Sequence, residues 1–188
     1  MQMVRLVRGG ETVKLSKRSG KAITLVTLLD EIPIDAARFY FNLREANSQF
    51  EFDLDLAVEQ SSQNPVFYIQ YAHARICSLL SNLAAEDIEI PEKADFTLLD
   101  TSREIELIRH LASLPGEIIS AAKQYDPAKM TKYAQELATL FHRFYDGCSV
   151  KNAESEELRG ARILLCVAVR QVLRNVLTML KIEQPEKM

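Results

Sequence analysis

One apolar stripe constrains the fold more than any other feature of the chain. After Asn64 and Pro65, apolar side chains recur at steps of three and four residues, at Ile69, Ala72, Ile76, Leu79 and Leu83. This spacing places them on one face of a long α-helix, and Asn followed by Pro is typical of a helix start. A helix with a continuous apolar face must bury that face. The sequence therefore predicts a packed helical domain.

Further helices are predicted after this one. Their boundaries are a capping box at Thr101–Glu104, a stop at Pro115, a start at Asp126–Pro127, a stop at Gly147 and a start near Asn152. The first of these patterns satisfies unpaired backbone N–H groups, and a proline ends most helices. Together they predict a bundle of about five antiparallel helices over residues 64–182.

The first residues alternate in a different way. Apolar residues spaced by two stand on either side of Gly9-Gly10, which predicts a β-hairpin. This is the only strong strand signal, and an isolated hairpin is marginally stable, so its partner strands are expected outside the chain. Residues 24–62 predict a less regular helical stem, in which Asp35 and Arg38 are expected to pair or cap locally. The predicted units are residues 1–62 and 63–188.

Composition narrows the class of protein. The 188 residues are 47% hydrophobic, which is enough for a sizeable core. No apolar run is long enough to cross a bilayer, and the three cysteines have no zinc-site or disulfide pattern. No metal site is therefore predicted. The first 21 residues carry a net charge of +5 and the remainder −8. Such asymmetry indicates an anionic ligand at the basic end, or simply a solvated basic segment.

Two groups of residues are candidates for function. Tyr68, Tyr71 and Arg75 fall on one helix face beside the apolar stripe, and tyrosines with an arginine can stack single-stranded bases. The alternative is that the tyrosines are half-buried core residues with wet hydroxyls. Lys14 and Lys17 flank Ser16 in a basic loop that would suit phosphate. The alternative there is a surface turn after a hairpin.

The basic loop lies within a longer resemblance. VKLSKRSG, residues 13–20, resembles the K-M-S-K-S loop of class I aminoacyl-tRNA synthetases. TLLDEIPIDAARFYFNLR, FDLDLA and NPVFYIQYAHARICSLL then follow in the order and spacing of arginyl-tRNA synthetases. LFHRFYDGCSV and LKIEQPEKM are similar to the anticodon-binding domain of the same family. The resemblance extends over essentially the whole chain.

The chain also departs from the pattern of that family. Leu15 replaces the usual Met of the loop, and Arg18 replaces the usual final Ser, while both lysines remain. The family's His-x-Gly-His signature and most of its nucleotide-binding sheet should precede these residues and are not in the sequence. The chain thus resembles the C-terminal part of a longer enzyme, and by itself it is expected to be inactive.

The resemblance implies a mainly α fold with a hairpin remnant of a catalytic domain, a helical stem and an anticodon-binding bundle. It implies an arginine–tRNA ligase that uses arginine, arginine tRNA and ATP with Mg as substrates. Lys14, Ser16 and Lys17 would be catalytic, and Lys14 and Lys17 would bind ATP. The residues expected at the anticodon are Tyr68, Tyr71, Arg75, Tyr145 and Met188. A cytoplasmic monomer without membrane contact is expected. The alternatives are a free-standing tRNA-binding module and a helical interaction domain.

Overall fold

The computed structural model describes residues 3–13, 24–45 and 47–188, which form seven α-helices and one small sheet. The helices are α1 Leu25–Glu31, α2 Ile34–Asn42, α3 Leu54–Val58, α4 Pro65–Ala85, α5 Ser102–Gln124, α6 Ala128–Gly147 and α7 Glu156–Met179. A 3₁₀ turn at Phe96–Leu98 lies in the connector between α4 and α5. The mainly α fold, with a hairpin, a stem and a bundle, is confirmed.

The sheet contains the predicted hairpin and one strand that was not predicted. Its strands are β1 Val4–Arg8, β2 Glu11–Thr12 and β3 Phe50–Asp53, in the order β2-β1-β3. The turn between β1 and β2 has positive φ at both glycines, 59° and 77°, which is the geometry that glycine tolerates and a two-residue hairpin needs.

The third strand corrects the expectation that every further partner of the hairpin lies outside the chain. β3 pairs in parallel with β1, and Leu6 is opposite Phe52. Phe52 is fully buried, and its ring meets that of Tyr40 on α2 edge to face at 5.2 Å. The strand was missed because four residues are too short to show an alternating pattern, and burial of the phenylalanine decides its conformation.

The bundle is built around α6, which contacts α4, α5 and α7. Its apolar face includes Leu137, Phe141 and Phe144, all fully buried. This confirms the prediction that the two phenylalanines belong to the core. The stem packs on the same core, since α2 contacts both α4 and α6. Asn64 caps α4 by accepting from the N–H of Val66 at 3.3 Å.

The predicted helix break at Pro115 is wrong. α5 continues through this residue from Ser102 to Gln124, so the bundle has four long helices and not five. Pro115 is exposed, whereas Leu107 and Ala121 on either side of it are buried. A proline ring that faces solvent avoids the core, and packing on both sides offsets the one missing backbone hydrogen bond. The capping box at Thr101 is confirmed.

The last helix begins at Glu156, later than predicted, because Ser155 and not Asn152 is its N-cap. At its other end Lys181 adopts a positive φ of 58°. The N–H of Lys181 bonds to Thr178 O at 3.1 Å, and the N–H of Ile182 bonds to Leu177 O at 2.9 Å. This Schellman motif reverses the chain. Residues 181–188, here called the strap, then run back over α2 and α4.

Candidate nucleic-acid interface

A cavity of about 470 Å³ lies between α4 and α6 at the end of the strap. Residues from three parts of the chain line it: Ser62, Phe67, Tyr68, Tyr71, Arg75, His142, Asp146 and Met188. Four of the five residues predicted at the anticodon therefore line the same cavity. The fifth, Tyr145, lies directly beneath the guanidinium of Arg75, which is 4.1 Å from the centre of the tyrosine ring.

The helical periodicity of α4 creates one wall of the cavity. Tyr68, Tyr71 and Arg75 stand at i, i+3 and i+7 and share a side of the helix, next to the fully buried stripe that begins at Ile69. The predicted common face is confirmed. The two tyrosines differ, because Tyr68 is half-buried against the core while Tyr71 is 41% exposed. The alternative of a core tyrosine thus fits Tyr68 better than Tyr71.

Arg75 is held in one orientation by three neighbours on α6. One guanidinium nitrogen lies 3.2 Å from Nδ1 of His142, and the other donates to Asp146 Oδ1 at 3.1 Å. The ring of Tyr145 supports its flat face. An exposed ion pair such as that with Asp146 contributes little to stability. Its effect here is to fix a planar cation with donors left over for a ligand.

Sequence reasoning missed four residues of the cavity, Ser62, Phe67, His142 and Asp146, and His142 is the most buried of them. It follows Phe141 on the core stripe of α6, and its spacing to the other histidines suggested no metal site. The structure buries it between both tyrosines of α4. Its ring lies 4.6 Å from that of Tyr68 and stacks on Tyr71 at 5.7 Å, with 20° between the planes. No signal in the sequence shows which residue of α6 faces α4.

Two effects lower the pKa of His142. Burial is the larger, and the positive charge of Arg75 adds to it, while Asp146 and the backbone of Tyr68 oppose them. Because a guanidinium can only donate, Nδ1 of a neutral His142 accepts the hydrogen bond. The neutral ring is therefore the form that fits Arg75.

We expect NMR titration of the histidine ring signals to place the pKa of His142 below 6.5, its ordinary value. Arg75→Ala should raise this pKa, because it removes a positive charge 3.2 Å from Nδ1. Arg143→Ala is the matched control, since Arg143 is exposed on the next residue of α6. Equal shifts in both variants would contradict the proposed contact. Stability should fall below pH 6.5, because the unfolded chain then binds a proton that the folded protein excludes.

The structure does not test the predicted catalytic residues. Lys14, Ser16 and Lys17 fall outside the described residues, so their role stays a prediction. Within residues 3–13, 24–45 and 47–188, no group of three or more His, Cys, Asp or Glu side chains could hold a metal ion. Among the helices described there, none has both the length and the apolar character needed to cross a membrane.

Comparison with known proteins gives one family match. Residues 69–188 match the model of the DALR anticodon binding domain. The chain is 50% identical over 190 residues to the arginine–tRNA ligase of Caldanaerobacter subterraneus subsp. tengcongensis, covering all of this chain and 34% of that protein. It is 50% identical over 194 residues to that of Heliobacterium modesticaldum, with the same coverage. The chain thus spans about one third of the length of these curated relatives.

Solved structures agree with the family match. A structure described as an arginyl-tRNA synthetase from Campylobacter jejuni superposes with a TM-score of 0.86 at 30% identity, over all of this chain and 40% of that one. Thermus thermophilus arginyl-tRNA synthetase superposes with a TM-score of 0.79 at 22% identity, over 97% of this chain and 34% of that one. The second likeness concerns the fold alone. Since the family model matches more than half of its residues, including α6 and most of α4, the chain belongs to the DALR anticodon-binding domain family.

Proposed function

We propose that this chain supplies anticodon recognition to an arginine–tRNA ligase, and that its cavity takes bases from the anticodon loop of arginine tRNA. One observation carries the proposal. Three parts of the chain that are far apart in sequence meet at one cavity: Tyr68, Tyr71 and Arg75 of α4 line it with Met188, and Tyr145 of α6 supports Arg75. The names of the relatives support the choice of arginine tRNA.

The walls of the cavity match what an unstacked base requires. A base presents a flat π-face and an edge of donors and acceptors. The exposed ring of Tyr71, backed by His142, offers a flat surface for stacking. The unused N–H groups of Arg75 can donate to a base edge. Asp146, whose side chain is 66% exposed, can accept from an amino group.

The charge of the chain favours base recognition over phosphate binding. Its net charge is −3, and the cation in the cavity is already paired with Asp146. Phosphate contacts supply most non-specific affinity for nucleic acids. A chain that makes few such contacts binds RNA weakly, and its affinity then depends on which bases are present. Strong binding of the whole tRNA then depends on other parts of the longer protein.

We assign aminoacylation to that longer protein. In it, Lys14 and Lys17 would place positive charge at the phosphates of ATP, which enters with Mg, as arginine attacks and pyrophosphate leaves. Ser16, in the same loop, would donate a hydrogen bond. The cytoplasmic location and the monomeric state remain predictions.

The test is a titration of the chain with the anticodon stem-loop of an arginine tRNA. Parallel titrations use stem-loops in which each anticodon base is replaced in turn. We expect at least one replacement to weaken binding about tenfold, because each stacked and hydrogen-bonded base contributes about 1–3 kcal/mol. Equal affinity for every stem-loop, or none for any, would overturn the proposal. Equal affinity would leave a tRNA-binding module that does not read the anticodon, and no binding would leave a helical interaction domain.

A further inference from the structure

We propose that the strap holds Met188 at the rim of the base-binding cavity, and that Asp35 on the stem helix α2 anchors the strap. The inference rests on the proposed function, because it concerns the same cavity. Asp35 would act through the strap and without touching RNA, so it is a positioning residue.

The contacts of Asp35 differ from those predicted. Instead of pairing with Arg38, its Oδ2 accepts from Gln70 Nε2 on α4 at 2.9 Å and from the N–H of Glu183 in the strap at 3.2 Å. The second oxygen, Oδ1, is buried and has no hydrogen-bond partner among the described residues. One carboxylate therefore joins the stem, the bundle and the strap, and its desolvation is offset by only two donors.

Arg38 strengthens the same junction. It stands one turn after Asp35 on α2 and donates from Nη1 to the carbonyl of Lys181 at 2.6 Å. This carbonyl belongs to the residue with positive φ that starts the strap. Ile182, next in the chain, is 2% exposed and fixes the turn in the core. The beginning of the strap is thus held by backbone, core and stem together.

Side chains of α4 hold the middle of the strap. Gln70 Nε2 also donates to the carbonyl of Glu183 at 3.0 Å. His73 Nδ1 donates to the carbonyl of Pro185 at 2.9 Å, since a carbonyl only accepts. Burial, more than the nearby arginines, lowers the pKa of His73 and keeps the ring neutral.

The end of the strap reaches the cavity. Gln70 and His73 lie on the side of α4 opposite the tyrosine face, so the strap wraps around the helix before Met188 joins Phe67 and Tyr71 in the cavity wall. Met188 is 53% exposed, so packing alone holds it weakly. Its position depends on the anchors before it.

The first arm of the test needs no RNA. The ε-methyl NMR signals of the methionines report on position, because Phe67 and Tyr71 are aromatic and share the cavity wall with Met188. In Asp35→Ala, we expect the Met188 signal to move toward its value in an unfolded chain. The signal of Met130, which is 6% exposed in α6, should stay in place and report an intact fold. Asp30→Ala is the matched control on the exposed face of α1.

Arg38→Met keeps this arm decisive if Asp35→Ala fails to fold. Arg38 is exposed, so its replacement leaves the core intact. We expect it to move the Met188 signal in the same direction by a smaller amount. An unmoved Met188 signal in a folded anchor variant would overturn the inference.

The second arm measures affinity for the anticodon stem-loop of an arginine tRNA. We expect Asp35→Ala to weaken binding about tenfold, because without its two hydrogen bonds to Gln70 and Glu183 the strap no longer holds Met188 at the cavity. In the Met188→Ala background the same change should add nothing, because the effect runs through Met188. A loss of equal size in that background would overturn the inference, since it would show general destabilisation.

Tyr71→Ala separates the two proposals. If it weakens stem-loop binding and Asp35→Ala does not, the cavity binds bases and the inference about Asp35 is overturned. If neither the unchanged chain nor Tyr71→Ala discriminates between stem-loops, the proposed function fails. The methyl signals then decide alone whether Asp35 anchors the strap.

Discussion

Replacing Arg162 by methionine is expected to lower the free energy of unfolding by about 3–5 kcal/mol, because it leaves a buried charge without its partner. Arg162 donates from Nε to Glu104 Oε1 at 2.7 Å and from Nη1 to the carbonyl of Ser149 at 2.8 Å. Glu104 is fully buried. Its other oxygen accepts from the N–H and the hydroxyl of Thr101. Urea denaturation followed by circular dichroism measures the change.

The matched control is Arg159→Met, one turn earlier on α7. Arg159 pairs with Glu156, whose side chain is 82% exposed, so this change should cost less than about 1 kcal/mol. The double variant Arg162→Met with Glu104→Leu should recover much of the loss, because it removes both charges together. A cost for Arg162→Met no larger than that for Arg159→Met would contradict this account of the pair.

Lowering the pH should also reduce the free energy of unfolding, because it protonates Glu104. Burial raises the pKa of Glu104, but hydrogen bonds from Thr101 and Arg162 outweigh burial, so the pKa lies below its ordinary value of 4.5. A lowered pKa in the folded state gives a contribution that is complete above the unfolded value and is lost as the pH falls through the folded one. The contribution of Glu104 to stability should therefore begin to fall near pH 4.5 and should be lost once the pH is below the lowered pKa of the folded state.

This buried pair also bears on the cavity. Arg162 donates to the carbonyl of Ser149, which comes two residues after the end of α6. The last turn of α6 carries Tyr145 and Asp146. Gly147, in the same turn, lies against the side chain of Arg103. The pair thus fixes the end of the helix that supports Arg75. Stability and the shape of the site are linked at this point.

Local patterns predicted the starts of α4 and α5, the hairpin turn and the α4 face well. The N-cap at Asn64, the capping box at Thr101 and the Gly9-Gly10 turn depend on neighbours within a few residues, and such signals can be found in sequence alone. The spacing of Tyr68, Tyr71 and Arg75 also depends on one helix. Tyr145 and Met188 came only from family resemblance, because no period connects them to α4.

The misses arise where tertiary contacts decide. Pro115 fits inside α5 because its ring faces solvent, and the sequence does not specify that orientation. His142 enters the cavity because of how α6 is rotated against α4. Asp35 was expected to pair with Arg38 or to cap locally, but it meets a strap nearly 150 residues later in the chain. The helical period of a sequence shows which residues lie on the same face of a helix, but it does not show which other element packs against that face.

The second large effect is expected from Arg75→Ala, which should weaken binding of the anticodon stem-loop about tenfold to a hundredfold. The reason is that, among the residues the structure describes, Arg75 is the only cation in the cavity wall, and its plane is fixed by Tyr145, His142 and Asp146. A positioned arginine that donates to a base edge or stacks on its face contributes about 1–3 kcal/mol. Titration at constant salt measures the loss, and a thermal melt checks that the fold is kept.

Arg75→Lys separates a planar donor from a point charge. Lysine keeps the charge but lacks the fork that bonds His142 and Asp146 together and the flat face above Tyr145. If the guanidinium binds a base, Arg75→Lys should recover little of the affinity that Arg75→Ala loses. The salt dependence of binding in Arg75→Ala should then match that of the unchanged chain. If Arg75 contacts a phosphate, lysine should recover most of it, and Arg75→Ala should reduce the salt slope by about one. The second outcome would contradict base reading by Arg75. Arg143→Ala, an exposed change on α6, sets the loss expected from charge alone.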